Sequence, residues 1–199
     1  GSKNMLLFSD VPKNTIYQWT EKDGAKVYLT PSGFMGTTSN SPEPGSNGLL
    51  LDDEENLILC QHGDRRLAMM NAPINQPKAD FTSIADRYQG KRFNSPNDAT
   101  FYNYSFYFTD PPYGLAKQTE DPEKEISFQG VYVAPADGDV KLITDSLTRP
   151  NGIAFLKNKK TLIVANSDSG KARWYAFDLT EDDSVTNARI FYDVTENAK

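Results

Sequence analysis

Short apolar runs separated by polar turns recur along almost the whole chain, and three stretches follow one plan. They read "NGLLLDDEENLILCQHGDRRLAMM" from Asn47, "NDATFYNYSFYFTDPPYG" from Asn97 and "NGIAFLKNKKTLIVANSDSGKARWYAFDL" from Asn151. Each stretch opens with Asn followed by Gly or Asp, continues into an apolar strand, turns on polar residues and enters a second apolar strand. The pattern predicts repeated β-hairpins, since helical periodicity is nearly absent.

The spacing of these openings predicts the architecture. They lie 50 and 54 residues apart, which fits the four-stranded blade of a β-propeller, a unit of about 40 to 50 residues. We therefore predict an all-β fold in a single domain over residues 1–199. It contains about four blades, at residues 5–32, 45–86, 95–146 and 149–195.

The first predicted blade is partial, because the Asn-containing strand that opens the others is missing from it. A propeller removes its sheet edges only by closing on itself. We therefore expect this sequence to be an incomplete segment of a longer propeller. The alternative is a complete open sandwich of sheets.

Polar residues are predicted to converge on one rim of the propeller. Adjacent strands run antiparallel, so the start of the innermost strand and the end of the second strand lie at the same end of each blade. The starts supply Asn47, Asn97 with Asp98, and Asn151; the ends supply Ser9, Asp10, Gln61, His62, Thr109, Asp110, Asn166, Ser167 and Asp168. Their oxygen atoms suit a hard divalent cation such as calcium. The alternative is that Asn-Gly and Asn-Asp only form turns.

Charge and composition narrow the partners. The chain has 27 acidic and 21 basic residues and a net charge of −6, which argues against nucleic acid because phosphate backbones attract clustered Lys and Arg. No apolar run approaches the roughly 20 residues of a membrane span, so no membrane partner is expected. Cys60 is the single cysteine and follows an apolar run, which predicts a buried strand thiol without a disulfide.

Three segments carry a resemblance to a known family. The stretches "SPEPGSNGLLLDDEENLILCQHGDRRLA", "RFNSPNDATFYNYSFYFTDPPYGL" and "LTRPNGIAFLKNKKTLIVANSD" resemble the gluconolactonase/regucalcin family, which includes the luciferin-regenerating enzyme, and in particular its bacterial gluconolactonase branch. The resemblance implies a six-bladed β-propeller with one divalent metal at the mouth of its channel, and lactone hydrolysis as the activity. Calcium is the metal expected first, with zinc or manganese as alternatives.

The resemblance also implies roles for individual residues. Asn151 in "RPNGIAF" matches the metal-binding asparagine of the family, and Asn97 in "PND" matches the asparagine that contacts the metal, its water or the substrate. Arg92 in "RFN" resembles the arginine that holds substrate hydroxyls, although the inserted "SP" departs from the shorter "RFND" form. The family's metal-binding glutamate and its aspartate base lie in motifs that this sequence does not contain, so the catalytic base is expected outside the chain. Glu43 and the acids around Asp193 do not lie in those motifs.

The function expected from these observations is hydrolysis of a sugar lactone by a metal-dependent enzyme. Arg92, Asn47 and His62 are the candidates for orienting sugar hydroxyls, which need several fixed donors and acceptors. For His62, the only histidine, pocket lining, acid–base work and a structural hydrogen bond all stay open. The alternatives are a non-catalytic calcium-binding propeller and a hydrolase of another ester. We expect a soluble protein of the bacterial cytoplasm or periplasm; its oligomeric state is open.

Overall fold

The repeats form antiparallel sheets in the computed structural model, which describes residues 4–195. In this part of the chain there is no α-helix, and the only helical element is a short 3-10 turn at Gln118–Glu120. The strands are β1 Leu6–Asp10, β2 Thr15–Thr20, β3 Gly24–Leu29, β4 Ser46–Leu51, β5 Leu57–Gln61, β6 Arg66–Met70, β7 Phe81–Ala85, β8 Arg87–Tyr88, β9 Lys91–Arg92, β10 Ala99–Tyr102, β11 Ser105–Asp110, β12 Gly130–Pro135, β13 Lys141–Thr144, β14 Pro150–Phe155, β15 Thr161–Asn166, β16 Arg173–Leu179 and β17 Val185–Asp193. The fold is therefore all-β, as predicted.

The strands pair with their sequence neighbours in four larger sheets. Sheet I contains β1-β2-β3, sheet II β4-β5-β6-β7, sheet III β10-β11-β12-β13 and sheet IV β14-β15-β16-β17. A separate two-stranded hairpin, β8-β9, lies between sheets II and III in the sequence. None of these sheets closes on itself within residues 4–195. The predicted domain bounds of 1–199 include residues 1–3 and 196–199, which lie outside the described residues.

Tight turns join several of the paired strands. Tyr102 pairs with Ser105, and both residues between them, Asn103 and Tyr104, have positive φ angles of 50° and 57°. The β8-β9 hairpin turns in the same way through Gln89 and Gly90, with φ angles of 51° and 78°. Positive φ at both central residues is the geometry of a type I′ turn, whose twist matches that of the flanking strands.

Alternating side chains bury both faces of the central sheets. In β5, Leu57 and Leu59 pack towards sheet I, whereas Ile58 and Cys60 pack towards sheet III. Sheet III repeats this alternation between its two neighbours. Its β12 contributes Tyr132 and Ala134 to the core shared with sheet II, and Val131 and Val133 to the core shared with sheet IV.

The three cores therefore lie between successive sheets, because residues i and i+2 of a strand share a face. This packing explains why β5 and β12 are apolar at consecutive positions rather than at every second one.

The prediction for Cys60 has a clear outcome, and the aromatic residues of β10 and β11 differ in burial. Cys60 has no exposed surface, so its prediction as a buried strand thiol is confirmed. The aromatic run of β10 and β11 is divided: Phe108 and Tyr107 are buried in the cores, whereas Tyr104 in the turn is 73% exposed. None of the described residues belongs to a helix long and apolar enough to cross a bilayer.

Candidate functional site

The innermost strands of sheets II, III and IV begin side by side. The backbone N–H of Gly48 donates to the carbonyl of Asn97 at 2.7 Å, and the N–H of Ile153 donates to Oδ2 of Asp98 at 3.2 Å. These contacts involve Asn97 itself and residues one or two positions after Asn47, Asn97 and Asn151. The structure therefore brings the three asparagine-containing strand starts together at one end of adjacent sheets.

Hydroxyl groups near the ends of β1 and β11 hold two of these strand starts. Ser9 Oγ of β1 donates to the carbonyl of Asn47 at 2.8 Å, and Thr109 Oγ1 of β11 donates to the carbonyl of Asn151 at 2.7 Å. In each case a hydroxyl near the end of a strand satisfies a carbonyl at the start of the next sheet. The repeat thus positions its asparagines through backbone contacts between sheets.

The side-chain amides of Asn47 and Asn151 are available for a ligand. Both residues are half-buried, and neither side chain forms a hydrogen bond to any residue of the range 4–195. The Asn97 side chain is almost fully buried, at 2% exposure. Its Nδ2 lies 3.4 Å from Nε2 of His62, while its Oδ1 accepts no hydrogen bond from these residues.

His62 lies immediately after β5 and has no exposed surface. Its Nδ1 faces the Glu43 carboxylate, with 3.7 Å between Nδ1 and Oε2. This distance is longer than a direct hydrogen bond, and Nδ1 has no hydrogen-bond partner within the described chain. Burial lowers the pKa of His62 to about 4, and a weaker interaction with the Glu43 backbone opposes that shift.

Asp98, next to Asn97, ties sheet III to sheet IV. Its Oδ1 accepts from the N–H of Ala99 at 2.9 Å, and its Oδ2 accepts from the N–H of Ile153 at 3.2 Å. Burial raises the pKa of Asp98, and these two backbone hydrogen bonds oppose the shift. Both carboxylate oxygens are already engaged, so Asp98 supports the strand starts.

Asp110 anchors the segment that leads into Asn97. It has no exposed surface, and its two oxygens accept the backbone N–H groups of Asn94 at 2.8 Å and Ser95 at 2.7 Å. Burial raises the pKa of Asp110 to about 7, against the opposing effects of those N–H groups and of Arg65. The carboxylate at the end of β11 therefore fixes the backbone at Asn94 and Ser95, where the inserted "SP" begins.

The candidate Arg92 and the nearby Arg65 have different surroundings. Arg92 Nη2 donates to the carbonyl of Asp64 at 3.2 Å, and its backbone N–H donates to Oε2 of Glu125 at 2.8 Å. Arg65, which the sequence did not single out, is 4% exposed. Its guanidinium donates to the carbonyls of Phe93 at 2.6 Å and Glu123 at 3.0 Å. The structure therefore places Arg92 against the turn after β5, and Arg65 beneath the loops of sheet III.

A cleft of about 530 Å³ opens beside the turns that follow β5 and β11, and its lining does not include Asn47, Asn97 or Asn151. It lies between the segment that precedes β4 and the loop that follows β11. Its walls include Phe34, Ser39, Ser41, Gly63, Arg65, Gly114, Lys117 and Asp121. His62 lies directly behind this wall, because a Cβ added at Gly114 would come within 2.7 Å of the His62 Cβ.

The residues present fit a metal only through amide oxygens. Within residues 4–195, no three His, Cys, Asp or Glu side chains form a group that could hold a metal ion. Asn97 and Asn151, by contrast, offer oxygens that no neighbouring donor occupies. Amide oxygens are suitable but uncharged ligands for calcium, so a tight site needs carboxylates from elsewhere.

Comparison with known proteins gives the family context. Residues 1–199 match the sequence profile of the SMP-30/Gluconolactonase/LRE-like region. A gluconolactonase of Zymomonas mobilis is 36% identical over 190 residues, which is 94% of this chain and 52% of that protein.

Solved structures agree with this match. A gluconolactonase structure from Xanthomonas campestris superposes with a TM-score of 0.77 at 27% identity, covering 96% of this chain and 59% of that one. Regucalcin from Agrobacterium tumefaciens, described as a calcium-binding protein, shares the fold at a TM-score of 0.63 and 15% identity, covering 97% of this chain and 57% of that one. The chain thus spans little more than half the length of these relatives.

Proposed function

The chain belongs to the SMP-30/gluconolactonase/LRE-like family, and from this we propose that it forms part of a lactonase that opens a sugar lactone. The observation that carries the proposal is the set of three adjacent strand starts, where the side chains of Asn47 and Asn151 and the Oδ1 of Asn97 form no hydrogen bond within residues 4–195. The 36% identity to a gluconolactonase over 94% of the chain supports the substrate class.

The complete protein is a six-bladed β-propeller in this proposal. Sheets I to IV follow one another in sequence and share a core at each junction. The outer faces of sheets I and IV expose large apolar side chains, which are Leu6, Phe8, Trp19 and Val27 on one side and Trp174 and Tyr192 on the other. Exposed apolar patches of this kind indicate a missing packing partner. Two further blades from the part of the relatives that this chain does not cover would bury both faces.

Asn151 and Asn97 are the metal ligands that this chain contributes. Calcium suits their amide oxygens best, with zinc or manganese as alternatives. When bound, such a metal polarises the lactone carbonyl as a Lewis acid. The remaining ligands would come from carboxylates outside these residues, because Asp98 and Asp110 already accept two backbone hydrogen bonds each.

The other residues of the site bind and orient the substrate. Asn47 presents a free amide at the neighbouring strand start, where it is suited to a sugar hydroxyl. Arg92 is the family's candidate for the same task, while Arg65 contributes to the cleft wall. In this proposal the base that takes a proton from the attacking water comes from outside this chain, because the carboxylates of Asp98 and Asp110 each accept two backbone hydrogen bonds.

Acid release from glucono-lactone tests the proposal. The complete protein should show metal-dependent turnover in a pH-stat assay with calcium, zinc or manganese, and Asn97→Ala should reduce it strongly. Metal binding without turnover on any lactone would support the non-catalytic calcium-binding alternative. Turnover confined to a panel of other esters would show that the substrate class is wrong.

A further inference from the structure

His62 is a buried polar side chain to which the proposed reaction gives no task. It follows β5 directly, has no exposed surface, and lies against Asn97 on one side and Glu43 on the other. Gly114 packs over it so closely that a Cβ at that position would lie 2.7 Å from the Cβ atoms of both His62 and Ser95. The ring is therefore held in place between two polar partners.

The groups facing the ring determine where its proton lies. Glu43 presents a carboxylate to Nδ1 at 3.7 Å. An ionised carboxylate accepts hydrogen bonds and cannot donate one. A neutral imidazole carries one N–H and one acceptor nitrogen. Facing Glu43, the proton belongs on Nδ1, either directed at the carboxylate or shared with a bridging water. Nε2 is then the acceptor.

An acceptor at Nε2 selects one of the two orientations of the Asn97 amide. The amide can present either its oxygen or its NH2 group to the ring, and the two orientations have nearly the same shape. Only Nδ2 can donate to Nε2, across the observed 3.4 Å. The Asn97 Oδ1 is consequently the amide atom that does not face His62.

We propose that His62 is a positioning residue which, with its proton directed at Glu43, fixes the Asn97 amide so that Oδ1 faces the candidate site. This rests on the proposed function in one respect, namely that an oxygen is required at that point to bind a cation. The reversed amide would present NH2 and repel it. Polar partners that orient a metal ligand typically affect metal affinity by about 10- to 100-fold.

The protonated nitrogen of His62 can be measured directly. In the metal-free complete protein, ¹⁵N NMR of the imidazole should show a proton on Nδ1 and none on Nε2. The signals of His62 are those that disappear in His62→Gln. A proton on Nε2 would overturn the inference, and this result does not depend on any activity.

Two substitutions of His62 distinguish the contribution of its hydrogen-bond acceptor from that of its size. Gln in place of His62 can present its Oε1 near the position of Nε2 and still accept from Asn97, whereas Asn reaches only as far as Nδ1. By calorimetry with calcium, His62→Asn should weaken binding about tenfold, and His62→Gln should stay within about threefold of the unsubstituted protein.

Equal losses in both variants, or no loss in His62→Asn, would overturn the positioning role. If His62→Asn does not fold, the NMR measurement still decides the question. Absence of both calcium binding and lactone turnover in the unsubstituted protein would instead refute the proposed function, while leaving the orientation of the amide to the NMR result.

Discussion

The asparagines at the strand starts do different work although they occupy equivalent positions in the repeat. Asn97 is buried and contacts His62, whereas Asn47 and Asn151 are half-buried with free amides. The difference arises from what lies behind each strand. Only the strand start of sheet III has a buried imidazole next to it within the described chain.

Removing a direct ligand and removing a substrate contact should have separable effects. If Asn151 binds the metal as we propose, Asn151→Ala deletes an oxygen ligand, and calcium affinity should fall at least about tenfold, the effect that loss of an outer-shell partner already produces. Arg92→Ala should instead raise KM for the lactone and leave metal affinity unchanged. Calorimetric titration of both variants, with steady-state kinetics alongside, provides the measurement. Equal calcium affinities for the two variants would remove Asn151 from the site.

The glycines that follow two of these asparagines differ in the space around them. A Cβ on Gly48 would lie 2.8 Å from the Asn97 carbonyl oxygen, whereas the nearest atom to a Cβ on Gly152 is 3.8 Å away. Gly48→Ala should therefore force the backbone at the strand start to move and cost about 1–3 kcal/mol of unfolding free energy.

Gly152→Ala is the matched control for Gly48→Ala. Because its Cβ would meet no close neighbour, it should change the free energy of unfolding by less than about 1 kcal/mol. Urea denaturation of both variants measures the difference. If the two cost the same, the close contact between the starts of β4 and β10 is not what requires glycine at position 48.

At the level of elements, the sheets are joined by a repeated hydroxyl contact as well as by apolar packing. Ser9 and Thr109 each satisfy the backbone carbonyl of an asparagine in the next sheet. A buried carbonyl without a partner costs about 1–3 kcal/mol. These contacts therefore fix the register between one sheet and the next at the end where the candidate site lies.

The pairing of β16 with the outer strand β17 in sheet IV should weaken at low pH. Asp178 of β16 accepts hydrogen bonds from Arg189 Nη1 at 2.5 Å and Asn187 Nδ2 at 3.0 Å on β17, and from Thr161 Oγ1 at 2.8 Å on β15. These bonds, with Arg189 contributing most, lower the pKa of Asp178 to about 2 from an ordinary value of 3.8.

A carboxyl group whose pKa is lower in the folded chain contributes stability above its unfolded pKa and loses it on protonation. We therefore expect the pairing of β17 near residues 187–189 to weaken as the pH falls from about 4 to about 2. Amide hydrogen exchange of these residues measures the loss. Asp178→Asn should show weaker protection already at pH 5 and less change below it; an unchanged acid response in this variant would refute the assignment.

At the level of the whole molecule, the end faces of the four-sheet array are exposed. Trp19 on sheet I is 45% exposed and Trp174 on sheet IV is 46% exposed, and they are the only tryptophans among the 199 residues. If two further blades complete the propeller, both indole rings should become shielded from solvent. The solvent exposure of the two tryptophans therefore indicates whether further blades complete the propeller.

Acrylamide quenching of fluorescence should be strong for the 199-residue chain and weaker for the complete protein. Trp19→Phe and Trp174→Phe variants assign the signal to each face and control for tryptophans elsewhere. Equal quenching of both residues in the two proteins would show that nothing covers these faces, and would refute the six-bladed closure.

The local pattern of the chain by itself determined the strands, their order and the repeat. Each strand and turn can be recognised from a short stretch of apolar and turn residues, and the spacing of Asn47, Asn97 and Asn151 shows the repeat. Because each strand pairs with its neighbours in the sequence, the strand order follows from these local patterns. The motifs around the same asparagines also identified the family, which the comparisons confirm.

Only the tertiary structure decided which side chains meet at the site. His62 and Asn97 are 35 residues apart in sequence, and Arg65 reaches Glu123 across 58. Nothing local distinguishes Arg65 from Arg66, or marks Glu43 as the partner of a histidine, because these contacts depend on how three sheets and their loops pack together. The β8-β9 hairpin was also not predicted, since two strands of two residues each carry too short a pattern to be recognised. The local sequence determines where each strand forms, whereas packing between sheets determines which side chains are in contact at the strand ends.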